Sequence, residues 1–333
     1  KTTTREFIRE ALAPLGFILA SSENQNNDVG VPLTLLKAKK SNAVVVLEMG
    51  MRGLGEIRRL SCCSEPDVAV ITNIGTAHIG RLGSRKNIAL AKCEITSFLN
   101  PSGVVVIPAN DYLLEETLSS KWKGRVVRAG IQDVSANGKN HIFYGSKGID
   151  LLGKVDHKKG IMEVDGEIFQ LPLPGRHNAK NLILAIAVAK EFDVSFTQIN
   201  RLSVHLPDGR NRILQMGEIT VLDETYNSSP EAVIASLELL VNTRGRHFAV
   251  LGTMLELGEQ SVSLHREVIE YAASLKLDGL VFVAKGEEAE AINSESNKFP
   301  KFKIVSSPEK ALEPIKEWLK NGDTVLLKGS RSI

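Results

Sequence analysis

The sequence predicts an α/β protein of two domains, in which a mostly parallel sheet with a small antiparallel flap is followed by a Rossmann-like unit. At 333 residues and 43% apolar composition, the chain is too long for one ordinary hydrophobic core. Valine-rich runs without polar alternation indicate parallel strands that are covered on both faces. Helical spacing between these runs gives the βαβ alternation typical of the class. We therefore expect domains at residues 1–205 and 206–333.

The first domain is predicted from patterns that follow one another along the chain. A helix begins near residue 1, with Phe7, Ile8, Leu12 and Leu15 on one side. The strands expected next are at residues 43–47, 68–71 and 104–107, and the helices at 88–99, 111–119 and 177–192. From about residue 138 to 173, short alternating segments replace this pattern, and the turn at 165–166 predicts a hairpin between 161–164 and 167–171. This region is the antiparallel flap.

The second domain begins after the turn cluster Leu206-Pro207-Asp208-Gly209. Strands are expected at residues 219–222, 248–251, 280–283, 303–305 and 324–327. Helical patterns fill the intervals between them. The alternation predicts a doubly wound α/β unit of Rossmann type.

Charge and cysteine content exclude several classes of protein. Lys and Arg number 41 against 39 Asp and Glu, a net charge of +2, so no basic field attracts nucleic acid or an anionic membrane. Cys62, Cys63 and Cys93 form no CxxC pair, which favours a reducing cytoplasm. No apolar run approaches the roughly 20 residues of a membrane-spanning helix. We expect a cytoplasmic monomer without nucleic-acid partners or membrane insertion.

Lys92 is the most informative single residue. It lies in the apolar helical stripe of Ile88, Ile95 and Leu99, where burial of an ammonium group is unfavourable. One interpretation is a lysine at the edge of the stripe whose amine reaches water. The other is a desolvated lysine whose neutral amine reacts with carbon dioxide, because the resulting carbamate would be an oxygen ligand for a metal.

Polar residues at the start of the first helix and at strand ends are further candidates. Lys1-Thr2 is either a solvated first turn or a phosphate site, with the lysine on the outer phosphates and the hydroxyl on magnesium. Glu48, after the first strand, either faces solvent or binds magnesium. His78, after the second strand, is either a hydrogen-bonding residue or a ligand. Open α/β sheets bind ligands at the carboxyl ends of their strands.

Several segments together resemble the Mur ligase family, most closely the members that add D-alanyl-D-alanine. They are Asn-Asn-Asp-Val-Gly-Val-Pro at 26–32, Glu-Met-Gly at 48–50 with Gly-Glu-Ile at 55–57, Thr-Asn-Ile-Gly-Thr-Ala-His at 72–78, Ala-Lys-Cys-Glu-Ile at 91–95, Leu-Pro-Gly-Arg-His-Asn at 173–178, Gly-Arg at 209–210, Asp-Glu-Thr-Tyr-Asn-Ser-Ser-Pro at 223–230 and Lys-Gly-Ser-Arg at 328–331. They follow the family's order over nearly the whole chain. The P-loop glycines of the family would precede Lys1, so we expect a chain that lacks the UDP-sugar domain and a closing C-terminal helix.

The resemblance implies a central P-loop-type ATPase domain, a C-terminal Rossmann-like domain and an ATP-dependent ligase activity. D-alanyl-D-alanine would be joined to UDP-N-acetylmuramoyl-tripeptide through an acyl phosphate, with ATP and two Mg²⁺ ions. Lys1 would hold the outer phosphates, Thr2 and Glu48 the first Mg²⁺, and His78 with carbamylated Lys92 the second. The implied nucleotide contacts are Asn178 and Asn181 at the adenine, Arg210 at the phosphates and Asp223 at the ribose. The implied substrate-binding residues are Asn27, Asp28, Tyr226, Asn227, Lys328, Ser330 and Arg331.

Other interpretations share part of this pattern. A sibling Mur ligase or a folylpolyglutamate synthetase would use the same ATP machinery with a different acceptor. A noncatalytic nucleotide-binding module would have the same fold without ligase activity. A dehydrogenase is disfavoured, because no GxGxxG follows the first strand of the second domain. The segment at residues 252–258 also resembles the family, but Thr253 stands where the family usually has aspartate. A role for a negative charge at this position is therefore not supported.

Overall fold

The computed structural model describes residues 1–134, 148–331 and 333. Residues 138–147 of the predicted flap lie outside this described part. The strands are β1 (Phe17–Ala20), β2 (Asn42–Val46), β3 (Val68–Val70), β4 (Val104–Pro108), β5 (Arg125–Asp133), β6 (Leu151–Asp156), β7 (Ile161–Val164), β8 (Glu167–Gln170), β9 (Arg212–Met216), β10 (Ile219–Asp223), β11 (His247–Gly252), β12 (Gly279–Val283), β13 (Phe302–Val305) and β14 (Thr324–Lys328). The α-helices are α1 (Thr2–Ala11), α2 (Gly30–Leu35), α3 (Glu56–Ser64), α4 (Ile79–Leu82), α5 (Arg85–Cys93), α6 (Tyr112–Lys121), α7 (Arg176–Glu191), α8 (Phe196–Ile199), α9 (Pro230–Val241), α10 (Ser261–Ser274), α11 (Glu287–Asn293) and α12 (Leu312–Trp318).

The chain forms two compact units. Unit 1 comprises Lys1–Ile74 and Ser84–Leu206, and unit 2 comprises Gly75–Gly83 and Pro207–Ile333. The segment Gly75–Gly83, which contains α4, thus belongs to unit 2 although it lies early in the chain. This assignment could not be predicted from the sequence, because it depends on contacts between residues far apart in the chain.

Unit 1 contains a six-stranded sheet in the order β3-β4-β5-β6-β7-β8 and a parallel pair, β1-β2. Strands β3 to β6 are parallel, and β7 and β8 continue the sheet antiparallel to their neighbours. The predicted hairpin at Asp165-Gly166 is confirmed, since both residues adopt positive φ between β7 and β8. This hairpin forms the antiparallel edge of the main sheet rather than a separate layer.

The core of unit 1 is centred on α7. Its interior residues are apolar on nearly every side, and the run from Leu182 to Ala189 is fully buried, as expected for a helix enclosed by other elements. Helix α1 packs along it, and Phe7 and Leu12 contribute fully buried side chains. This packing fixes the position of the first turn of α1 in unit 1.

Unit 2 contains a six-stranded sheet in the order β13-β12-β11-β14-β10-β9. All neighbouring pairs are parallel except β9 with β10. Phe248, Val281 and Trp318 are buried in its core. The predicted Rossmann-like arrangement is confirmed, with β9 as an added antiparallel edge strand. No helix in the described part of the chain is long and apolar enough to span a membrane.

Candidate functional site

Glu48 is a buried carboxylate just beyond the end of β2, in unit 1. Its backbone N–H donates to Ser21 Oγ at 3.0 Å, and its Oε1 accepts from Asn26 Nδ2 at 2.8 Å. Its other oxygen lies 3.4 Å from a terminal nitrogen of Arg5 on α1. The side chain is therefore held from both sides, in a fixed orientation at the carboxyl end of the strand.

The charge of Glu48 is maintained by its neighbours. Burial, the largest single influence, would raise its pKa, but the charge of Lys1 and the hydrogen bonds from Asn26 and Thr2 act in the opposite direction, and the pKa is lowered overall. The group is thus a carboxylate at neutral pH. A fixed, ionised carboxylate is the type of ligand that Mg²⁺ prefers.

Lys1 and Thr2 stand at the amino-terminal end of α1, close to this carboxylate. Lys1 caps the helix and is exposed, whereas Thr2 is buried. The first backbone N–H groups of a helix have no partner within it, and the helix dipole adds positive potential there. With the Lys1 ammonium, this end of α1 is suited to an anion such as phosphate.

Asn178 and Asn181 lie on the first turns of α7. Asn181 Oδ1 accepts from Thr4 Oγ1 at 3.0 Å, which joins α7 to α1. Asn178 is buried, and its Nδ2 donates to the Pro174 carbonyl at 2.7 Å. Both asparagines therefore have structural partners, and their assignment to the adenine stays a prediction.

Asn27 and Asp28 precede α2. Asn27 Oδ1 accepts the backbone N–H groups of Val29 and Gly30 at 3.2 and 2.9 Å, as in an Asx turn. Asp28 is exposed and pairs with Arg59 at 2.7 Å. Local structure thus explains the polar type of both residues, and their contact with a peptidyl substrate stays a prediction.

Lys92 differs from its predicted environment. Helix α5 ends at Cys93, and Ile95 lies in a 3₁₀ turn that follows it, so the single helical stripe to Leu99 was wrong. The lysine is half-buried rather than buried. Its Nζ donates to the Asn73 carbonyl at 2.6 Å and lies 3.3 Å from Asn73 Oδ1. The change from α to 3₁₀ geometry turns the stripe away from one common face.

His78 belongs to the segment of unit 2 that contains α4. It adopts a left-handed backbone conformation, with φ of 66°. Its Nδ1 contacts the Glu256 carboxylate, and the Glu256 carbonyl accepts the N–H of Gly80 at 3.0 Å. A carboxylate on one ring nitrogen fixes the orientation of an imidazole, as is common for metal-binding histidines. The metal role of His78 stays a prediction.

Tyr226 is the centre of a cationic cluster at the carboxyl end of β10, in unit 2. The Arg210 guanidinium lies over its ring at 3.6 Å from the centroid, and that of Arg331 at 5.5 Å. The Tyr226 N–H donates to the Gly209 carbonyl at 3.0 Å, which fixes the turn that carries Arg210. Residues predicted to bind phosphate and dipeptide are thus neighbours within this unit.

Lys328 is the last residue of β14 and Ser330 follows it, next to the cluster. Lys328 is buried, and its Nζ donates to the carbonyls of Asn227 at 3.1 Å and Glu224 at 3.4 Å. Burial lowers the pKa of Lys328, and the Glu224 carboxylate partly opposes that change. Ser330 Oγ accepts the Leu255 N–H at 3.0 Å. These contacts connect the loops after β14, β10 and β11.

Asp223 and Thr253 both form hydrogen bonds within unit 2. Asp223 Oδ1 accepts from both the N–H and the hydroxyl of Thr225, at 3.2 and 2.7 Å, so its ribose contact stays a prediction. Thr253 Oγ1 donates to the Val283 carbonyl at 3.0 Å. The hydroxyl therefore has a structural use at the position where the family usually has aspartate.

Some residues that contact the candidate site residues directly were not predicted from the sequence. Among them are Arg5, Asn26, Glu224 and Glu256. Asn26 stood beside Asn27 in a quoted segment, and Glu224 stood beside Asp223. The only available signal was a charged or amide residue next to a candidate.

Among the described residues, no group of three or more His, Cys, Asp or Glu could hold a metal by itself. A Mg²⁺ ion that also binds phosphate oxygens needs only one or two protein carboxylates.

A parallel α/β unit with a cation and a fixed carboxylate at a helix start, followed by a Rossmann-like unit, is typical of nucleotide-dependent α/β enzymes. The Mur ligase middle domain family matches residues 1–189, and the Mur ligase, glutamate ligase domain family matches residues 209–331. The chain therefore belongs to the Mur ligase family.

Individual relatives support a narrower comparison. The UDP-N-acetylmuramoyl-tripeptide--D-alanyl-D-alanine ligase of Synechocystis sp. is 38% identical over 336 residues, covering 100% of this chain and 70% of that protein. A crystal structure of MurF from Acinetobacter baumannii matches with a TM-score of 0.83 at 29% identity, over 99% of this chain and 71% of that one. MurF ligase from Thermotoga maritima in complex with ADP matches with a TM-score of 0.81 at 28% identity, over 99% and 74%.

Proposed function

We propose that this protein is an ATP-dependent ligase that joins D-alanyl-D-alanine to UDP-N-acetylmuramoyl-tripeptide. The observation that carries the proposal is the 38% identity to the Synechocystis ligase over the whole of this chain. The ADP in the Thermotoga maritima relative supports the use of a nucleotide. The geometry of unit 1 adds support, because an ionised Glu48 lies close to the Lys1-Thr2 start of α1.

The reaction must first activate a carboxylate, which is a poor acyl donor. Transfer of the γ-phosphoryl group of ATP to the tripeptide carboxylate forms an acyl phosphate and ADP. The amine of the dipeptide then attacks the acyl carbon, the C–O bond to phosphate breaks, and the amine loses a proton. Lys1 would bind the outer phosphates and balance their charge, which is the main contribution that proteins make to phosphoryl transfer.

Thr2 and Glu48 would hold a Mg²⁺ ion in unit 1. The oxygen ligands present there fit this ion, since Glu48 is ionised and both its oxygens are oriented by neighbours. Bound Mg²⁺ would supply neutralisation of phosphate charge. His78 is a proposed ligand of a second Mg²⁺ ion. We also propose that Lys92 carries a carbamate, because its half-buried amine is within reach of dissolved carbon dioxide and a carbamate would supply oxygen ligands.

The test is release of ADP by the full-length protein with UDP-N-acetylmuramoyl-tripeptide and Mg²⁺. We expect release to depend on D-alanyl-D-alanine and to remain at background with free L-amino acids or glutamate. Preference for glutamate would indicate a folylpolyglutamate synthetase-like enzyme, and preference for another amino acid would indicate a sibling ligase. ATP binding without ADP release under any of these conditions would contradict an enzymatic function.

A further inference from the structure

Glu224 is a mostly buried carboxylate that joins three segments of unit 2. Its Oε1 accepts the Asn211 N–H at 3.1 Å, which connects it to the turn that carries Arg210. Its Oε2 lies 3.9 Å from Nζ of Lys328, the last residue of the neighbouring strand β14. Its backbone N–H donates to the Leu327 carbonyl at 3.0 Å. The side chain thus stands between the two loops whose cations surround Tyr226.

The charges near Glu224 are mutually dependent. Burial, the largest influence, raises its pKa, while Lys328, the Asn211 N–H and Arg210 act in the opposite direction and Asp223 adds to the rise. The pKa of Lys328 changes in the opposite direction: burial and Arg210 lower it, and Glu224 raises it. The charged side chains in this region comprise three cations and two carboxylates: Arg210, Lys328, Arg331, Asp223 and Glu224.

Arg210 is held without a hydrogen bond at its Nε, a buried atom that has no hydrogen-bond partner in the described part of the chain. Its position therefore depends on the Tyr226 ring and on the turn fixed by Glu224 through Asn211. A donor that is buried without an acceptor destabilises the fold. Such a cost is usual where a site is built for an anionic group rather than for the stability of the fold.

We propose that Glu224 is a positioning residue that places its carboxylate beside Lys328 and holds the turn at Asn211, so that Lys328 and Arg331, near Tyr226, can receive the carboxylate of the incoming dipeptide. This inference rests on the proposed function. The Glu224 side chain is mostly covered, and its contacts are with Lys328 and the Asn211 turn, so it acts through these neighbours rather than by touching the dipeptide. A buried ammonium without a counter-charge releases its proton more readily, and a neutral Lys328 would attract a carboxylate far less.

The central variant is Glu224→Gln in the full-length protein. Glutamine retains an oxygen that can accept the Asn211 N–H, but it removes the charge beside Lys328. We expect the KM for D-alanyl-D-alanine to rise about tenfold or more, and the KM for ATP to change by no more than about twofold. We also expect the alkaline limb of kcat/KM for the dipeptide to move to lower pH by about one unit. The exposed Glu317→Gln in the same unit is the matched control and should behave as wild type.

A second variant separates charge from shape. A guanidinium stays protonated at any accessible pH, so Lys328→Arg in the Glu224→Gln background should remove the alkaline shift. If Glu224→Gln fails to fold, Glu224→Asp keeps the charge at a longer distance from Lys328 and should give a smaller shift in the same direction. An unchanged alkaline limb in every folded variant would overturn the inference.

A measurement without substrate distinguishes the inference from the proposed function. The rate at which Lys328 reacts with an anhydride reagent reports the fraction of neutral amine, and peptide mass spectrometry follows it as a function of pH. In Glu224→Gln this curve should move to lower pH relative to wild type and Glu317→Gln. Superimposable curves would refute the role of Glu224 even if the dipeptide is the substrate. A shifted curve with no dipeptide-dependent ADP release would refute the dipeptide as the substrate and leave the charge coupling established.

Discussion

Glu48 is a buried carboxylate and Glu224 a mostly buried one, yet their pKa values move in opposite directions. Burial is the largest influence on each, but the Lys1 ammonium and the hydrogen bonds to Glu48 outweigh it, whereas the cations near Glu224 do not. The first group is thus available as an ionised ligand, and the second depends on Lys328 for its charge. At the scale of single residues, neighbours rather than burial decide the chemical role.

Lys92 provides the sharpest prediction at this scale. Lys92→Ala should lower dipeptide-dependent ADP release by about a hundredfold or more, because it would remove a metal-ligand group that the carbamate supplies. Carbonate at high concentration, or a short carboxylate such as acetate, should partly restore the activity by taking the place of the carbamate. The measurement is a coupled ADP assay in buffers with and without these anions.

The matched control is Lys86→Ala, an exposed lysine on the same helix α5. It should retain wild-type activity in every buffer. Full activity of Lys92→Ala in carbonate-free buffer would rule out the carbamate. Loss of activity without any rescue would leave only the hydrogen bonds of Lys92 to Asn73 as its role.

The secondary-structure elements that the sequence predicted are mostly the fully buried ones. Strands β4 and β12 are buried at nearly every position, and their uninterrupted apolar runs predicted them directly. Strand β9 was missed because it lies largely exposed at the edge of its sheet, and β1 was missed because it is only half-buried in a two-stranded sheet. Strand β5 was missed because Arg125 and Arg128 interrupt its apolar pattern. Edge strands have too little buried surface to leave a clear period in the sequence.

The candidate site likewise contains residues that the sequence predicted and contacts that it could not predict. Lys1, Glu48 and Tyr226 could be selected because each stands at an element boundary or in a family segment. The contacts of Glu48 and Lys328 could not be predicted, because Arg5 reaches Glu48 across 43 residues of sequence and Lys328 reaches the Glu224 carbonyl across 104. Such contacts depend on sheet order, and a single sequence does not specify which strands become neighbours. The assignment of Gly75–Gly83 to unit 2 escaped prediction for the same reason.

Asp133 at the end of β5 provides a prediction for the elements of unit 1. Hydrogen bonds with His157 and Arg176 outweigh partial burial and lower its pKa from 3.8 to about 2. These contacts, at 3.0 and 2.7 Å, join β5 to the turn after β6 and to the start of α7. A lowered carboxylate pKa stabilises the fold above the unfolded value of 3.8, and this contribution is lost as the pH falls towards about 2.

Asp133→Asn should therefore lower the free energy of unfolding near neutral pH by about 1 kcal/mol or less, since the group is partly solvent-exposed. The difference from wild type should shrink as the pH falls below about 4. Urea unfolding across this pH range measures both effects. The exposed Asp193→Asn should give a difference that does not vary with pH, and a constant difference for Asp133→Asn as well would contradict the linkage.

At the scale of the whole molecule, the two units carry different kinds of chemistry. Unit 1 brings Lys1, Thr2 and Glu48 together at the start of one helix, an arrangement suited to phosphate and Mg²⁺. Unit 2 gathers Arg210, Arg331 and buried Lys328 near one tyrosine, an arrangement suited to a carboxylate. Most of the expected ATP and Mg²⁺ contacts thus lie in unit 1 and most of the expected dipeptide contacts in unit 2, so we expect the two binding steps to respond separately to substitution.

Arg331→Ala in the full-length protein tests this separation. Arg331 is exposed and lies over the Tyr226 ring, where its guanidinium can pair with an incoming carboxylate. The KM for D-alanyl-D-alanine should rise about tenfold, whereas the KM for ATP should stay within about twofold. Arg244→Ala, an exposed arginine of the same unit, should change neither. Glu48→Gln should show the converse, with a larger Mg²⁺ requirement for ATP turnover and little change in the KM for the dipeptide. Equal changes in both KM values for Arg331→Ala would mean that unit 2 contributes to both substrates alike, and the division of labour between the units would have to be abandoned.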